Sequence, residues 1–105
     1  MLERFKVPEK DRVYVPQERM RAATEAIFRH NGVSAEYAEV STDVLMKNDL
    51  RGNESHGVSN GMRRYTREYG NETVNPTPEY KVIRESKTTM TVDADRALGT
   101  HIGPW

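Results

Sequence analysis

The chain has 105 residues, enough for one small domain near the low end of the usual size range. Apolar residues make up 35% and charged residues 30%, which leaves either a segment that finishes its core against further chain or a partner, or a merely polar small domain. Sixteen basic and sixteen acidic residues cancel and no cysteine is present, which excludes a global field for nucleic acid or anionic membrane, a disulfide scaffold and a thiolate metal site.

Met1 to Arg12 mixes charge with few apolar side chains and contains Pro8, so residues 1–12 are expected to form a flexible arm. No apolar core of signal-peptide type precedes a small-residue cleavage site there, and no run in the chain has the length to span a bilayer. A soluble cytoplasmic protein with no membrane or nucleic-acid partner is the expectation.

Val13-Tyr14-Val15 is read as a short strand or an extended lead-in. Pro16 stands where a first helical turn tolerates a missing N–H. Met20, Ala23, Thr24, Ile27 and Phe28 recur at three- and four-residue steps, the stripe of an amphipathic helix, and Asn31-Gly32 ends it. Ser34 is the expected cap of a second helix, with Glu36 favouring its dipole. Tyr37, Val40, Ser41, Val44, Leu45 and Asn48 form its stripe, and it stops near Gly52. A third helix follows with Met62, Tyr65 and Tyr69 packed inward and Arg63, Arg64 and Arg67 outward.

Asn75-Pro76-Thr77-Pro78 breaks regular structure. Beyond it, Tyr80 to Arg84 and Thr89 to Val92 alternate as two strands joined through Glu85 to Thr88. Gly99, Gly103 and Pro104 read as a further break before Trp105. Helices followed by strands give an α+β class, with a helical part over 16–70 and a β-hairpin over 79–93. Closing on an apolar aromatic after a turn suggests that residues 13–105 are a truncated portion of a larger fold.

One stretch invites a chemical reading. Arg51-Gly52-Asn53-Glu54-Ser55-His56-Gly57 is irregular, bounded by glycines and held between helices, and a histidine there can donate, accept or transfer a proton near neutral pH. Taken alone, a turn hydrogen-bonding its own backbone is the commoner explanation of a Ser-His pair. No second histidine or carboxylate stands at a metal-ligand spacing, so no metal site is expected. His30 ends a helix, His101 lies in a glycine-rich turn without a role, and Asp93 and Asp95 read as turn formers.

The run from Asp49 through Ser55-His56-Gly57 to Asn60 resembles the hallmark segment of the type-2 malate/L-lactate dehydrogenase family, which includes sulfolactate and ureidoglycolate dehydrogenases. Tyr14-Val15-Pro16, Val74-Asn75-Pro76-Thr77-Pro78 and Val92-Asp93-Ala94-Asp95-Arg96-Ala97-Leu98-Gly99 match in the same order. The resemblance implies interconversion of a 2-hydroxy and a 2-oxo acid with NAD or NADP, on a fold unlike the Rossmann sheet, in a homodimer. It places Ser55, His56 and Asn60 in the substrate and nicotinamide pocket. The principal acid–base histidine is then expected beyond Trp105, leaving no catalytic residue of that kind in this segment.

Some relatives carry an arginine where this chain has Asn60; Arg63 and Arg64 are read as solvated helix charges, with either one gripping a carboxylate in its place as the alternative. For Asn60 a helix cap and a ligand contact stand level. A small non-enzymatic helical interaction module is the alternative function. A helix-turn-helix binder using Arg63, Arg64 and Arg67 conflicts with zero net charge.

Overall fold

The computed structural model describes residues 7–104. Half of the arm expected over 1–12, and Trp105, lie outside these; within the arm, Glu9–Asp11 form one 3₁₀ turn. Three helices follow, α1 over Gln17–His30, α2 over Ala35–Leu50 and α3 over Val58–Gly70. Strands β1 (Lys81–Glu85) and β2 (Met90–Asp93) then pair antiparallel, and a single-turn helix α4 (Gly99–Ile102) comes last.

The helix ends follow from local chemistry. Ser34 accepts the Tyr37 N–H at 3.2 Å and starts α2. Gly32 and Gly52 sit at φ 88° and 74°, letting the chain after α1 and α2 reverse. At each reversal two further backbone bonds close the helix end. Gly32 N–H donates to Arg29 and Val33 N–H to Phe28; Gly52 N–H donates to Asp49 and Asn53 N–H to Asn48. The same motif closes α3, but there Glu72 takes the left-handed position at φ 60°.

The core lies where α1, α2 and α3 meet, built on Phe28, Ala38, Leu45, Met46, Met62 and Tyr65, with Leu98 from the last segment. In α3 the inward residues are Val58, Met62, Tyr65 and Tyr69, with Arg63, Arg64 and Arg67 exposed, as the spacing predicts.

Elsewhere the stripes need correction. In α1 only Thr24 and Phe28 are buried, while Ala23 and Ile27 stay exposed on a face shared with the exposed Val13, Tyr14 and Leu50. In α2 the buried set is Ala38, Ser41, Thr42, Leu45 and Met46, turned from the expected stripe so that Tyr37, Val40, Val44 and Asn48 are half-buried. α2 touches α1, α3 and α4, and a helix with neighbours on several sides needs small residues where it is approached closely.

Val13-Tyr14-Val15 is an exposed, extended lead-in and not a strand. Each strand of the hairpin lies one residue further along than the alternation suggests, with an irregular register between Val82 and Arg84. The break expected around Gly99 to Pro104 contains α4.

The hairpin is tied to the helical part through Asp95. Its Oδ2 accepts from Asn75 Nδ2 at 2.7 Å and from Glu79 N–H at 3.2 Å, while Asp93 Oδ1 accepts from Asp95 N–H at 2.9 Å. The two aspartates are therefore turn formers. Among the described residues, no helix is long and apolar enough to cross a membrane.

Candidate functional site

The turn between α2 and α3 is fixed from both sides. A 3₁₀ turn over Glu54–His56 hands the chain to Gly57, which is buried at the cap position of α3. The Asp49 carboxylate, one residue before the end of α2, crosses to accept the Val58 N–H at 2.8 Å. This satisfies one unpaired donor of the α3 amino end and puts negative charge where the helix dipole favours it. A Cβ at position 57 would collide with that carboxylate, so the contact requires glycine. Burial pushes the Asp49 carboxyl above the ordinary carboxylate range and nearby Glu54 adds to this, against the opposing pull of the Val58 bond.

On the outer side of the turn runs a chain of side-chain bonds. Asn48 Nδ2 donates to Val44 carbonyl at 3.0 Å, and Asn53 Nδ2 donates to Asn48 Oδ1 at 3.1 Å. Ser55 Oγ lies 3.1 Å from Asn53 Oδ1 and 2.9 Å from His56 Nδ1. Asn60 Nδ2 donates back to the Ser55 carbonyl at 2.6 Å. Asn60 is thus in the first turn of α3 and not its cap, a position held by Gly57.

Ser55, His56 and Asn60, the three residues singled out from sequence, line one cleft of about 430 Å³ together with Gly61, Arg64 and Tyr65. That volume falls within the range of small-ligand sites. Arg64, four residues after Asn60, brings the cation; Arg63 is not in the wall. The Arg64 guanidinium lies 4.9 Å from the Tyr65 ring centroid, and its Nε is 3.5 Å from Glu68. The side chain is 63% exposed and that pair is long, so the guanidinium is available to an incoming anion. Tyr65 itself packs on Phe28 with ring centroids 6.3 Å apart, anchoring the cleft to the core.

His101, given no role from sequence, is only 2% exposed. It stacks on Tyr37 at 5.3 Å and meets Phe28 edge-on at 6.4 Å. Neither ring nitrogen has a hydrogen-bond partner among the described residues, and burial pulls its pKa down to about 4. It is a neutral core ring. Asp49 and Asn53 fall in the stretch that carries the resemblance and Asn48 in the α2 stripe, but the part each plays in shaping the site depends on which backbone and side chain it meets.

A hydroxyl, an imidazole, an amide and a guanidinium thus surround one small cleft, held on a helix–turn–helix frame. The chain belongs to the malate/L-lactate dehydrogenase family, whose model matches residues 15–105. It is 35% identical over 91 residues to malate dehydrogenase of Pyrococcus horikoshii, covering 87% of this chain and 25% of that protein. Against L-sulfolactate dehydrogenase of Methanocaldococcus jannaschii, identity is 35% over 78 residues, covering 73% and 22%. The solved structure of the Pyrococcus horikoshii malate dehydrogenase superposes with a TM-score of 0.86, covering 99% of this chain and 29% of that one. The chain thus spans about a quarter of the length of the curated relatives it matches.

Proposed function

We propose that this chain supplies one wall of the substrate pocket of a dehydrogenase that interconverts a 2-hydroxy acid and a 2-oxo acid, such as malate or lactate, with NAD or NADP. The observation that carries this is the convergence of Ser55, His56, Asn60 and Arg64 on one cleft. The substrates that the relatives' names specify share a carboxylate beside a carbon bearing oxygen. Arg64 is suited to grip the carboxylate with two parallel hydrogen bonds, which Asn60 is too short and neutral to do. His56 then meets the oxygen on the neighbouring carbon and fixes that carbon for reaction.

The dinucleotide, when bound, supplies or removes the hydride. The cleft residues fit the acid. At the amino end of α3, where a phosphate would otherwise gain, the Asp49 carboxylate already accepts the Val58 N–H. We assign no dinucleotide phosphate contact to this segment. By family resemblance, the setting proposed for the whole enzyme is a homodimer in the cytoplasm.

Titrating the ¹⁵N-labelled chain with L-malate tests the wall. Shifts are expected to concentrate between Ser55 and Tyr65. Arg64→Gln is expected to weaken binding about ten- to hundredfold, the effect of losing charge-assisted hydrogen bonds. Shifts scattered elsewhere, or an unchanged affinity in Arg64→Gln, would contradict the assignment.

A further inference from the structure

The chain of bonds along the turn has a direction. A backbone carbonyl only accepts, so the end of the Asn48 amide facing Val44 is its NH₂ group, and the other end is its oxygen. That oxygen faces Asn53, which must present its own NH₂ group there and turn its oxygen toward Ser55. Ser55 has one hydroxyl hydrogen. Facing an amide oxygen at 3.1 Å, the hydroxyl donates to it, since the alternative sets two lone-pair oxygens against each other. The Ser55 oxygen is then left as an acceptor toward His56 Nδ1, 2.9 Å away.

We infer that Asn48 and Asn53 are positioning residues that, acting through Ser55, hold neutral His56 in the Nδ1–H tautomer and leave Nε2 as a hydrogen-bond acceptor. The polarity originates in the Val44 carbonyl within α2 and passes through three side chains to the imidazole. Asn48 is half-buried at its origin, which shelters the first link from water. Ring orientation is thereby set by a hydroxyl, in place of the backbone carbonyl or carboxylate that often fixes a functional histidine's tautomer.

The consequence for chemistry rests on the proposed function above. With Nε2 an acceptor, neutral His56 receives the hydrogen of a 2-hydroxyl group. It donates to a 2-oxo oxygen only after Nε2 has taken up a proton. The site in its neutral form is therefore matched to the reduced acid. Its protonated form is matched to the oxidised one.

The tautomer is measurable in the ligand-free chain by long-range ¹H–¹⁵N correlation of the imidazole rings, at a pH where His56 is neutral. The expected spectrum shows His56 as a single Nδ1–H form. Ser55→Ala and Asn53→Ala are each expected to convert it to the mixture dominated by Nε2–H that free histidine shows. Asn53→Asp is expected to keep the Nδ1–H form only in part, because its carboxylate still accepts the Ser55 hydrogen but also sets an oxygen against Asn48 Oδ1. The buried His101 ring reports in the same spectrum that each variant retains its core. An Nε2–H or averaged His56 ring in the unsubstituted chain would overturn the inference, as would an unchanged ring in both alanine variants. Either result stands apart from malate binding, so failure of this inference and failure of the proposed function are separable.

Discussion

Lowering the pH should weaken this fold through His101, and the size of the effect follows from its surroundings. The ring is 2% exposed between Tyr37 and Phe28, without a partner for either nitrogen among the described residues, and its pKa falls from an ordinary 6.5 to about 4. In this window the unfolded chain binds a proton that the folded chain refuses. The contribution is therefore fully present above pH 6.5, declines as pH falls and is gone below pH 4. At about 1.4 kcal/mol for each pKa unit, the loss is about 3 kcal/mol, a large share of a small domain's stability. Asp49, with its raised carboxyl pKa, acts with the opposite sign, and Asp43, held low first by its bond to Lys47, loses stability only in stronger acid. The difference between the unsubstituted chain and His101→Phe isolates the ring. Urea unfolding of both between pH 4 and 7 should show a steep decline in the former and a much flatter curve in the latter. Parallel curves would refute the claim that the buried neutral imidazole governs acid stability.

Two further substitutions probe the frame of the site. Gly57→Ala should cost about 1–3 kcal/mol, because the new Cβ meets the Asp49 carboxylate and dislodges the Val58 bond. The same change in an Asp49→Ala background should cost measurably less, and equal costs in thermal or urea unfolding would mean that the two residues do not couple. Glu72→Gly should stabilise by roughly 0.5–1 kcal/mol, since relief of the left-handed strain at φ 60° outweighs the entropy that glycine adds to the unfolded chain. A lower melting temperature for that variant would show that the Glu72 side chain contributes more than its backbone strain removes.

The parts of the fold legible in sequence are those governed by local chemistry. Ser34, Gly32 and Gly52 announce helix ends because a capping hydroxyl and a left-handed glycine act within a few residues. The α3 stripe is legible because that helix has one clear apolar face. The α2 stripe is legible only in part: Ser41 and Leu45 are buried as expected, but Ala38, Thr42 and Met46 join them because neighbours approach that helix from several sides, which apolar periodicity does not register. His101 escapes for a related reason: a polar ring in a four-residue helix between glycines looks like a turn until Tyr37 and Phe28 enclose it.

Within the site, the three residues suggested by resemblance, Ser55, His56 and Asn60, share a cleft. Arg64 joins them because one helical turn carries it to the same side as Asn60. The Asp49–Gly57 contact and the asparagine chain depend on which side-chain atoms the turn brings face to face, so spacing alone does not reveal them.

The most direct test of the pocket assignment is to replace the matching segment of Pyrococcus horikoshii malate dehydrogenase with residues 15–104 of this chain and compare it with its His56→Ala form. Malate oxidation and thermal melting would be measured on the same preparations. The expected result is an active chimera whose catalytic efficiency falls about ten- to hundredfold on loss of His56, the effect of removing one hydrogen bond to a charged or reacting group, with the melting temperature unchanged. An unchanged efficiency, or a loss that tracks only a lower melting temperature, would contradict a role for His56 in the substrate pocket.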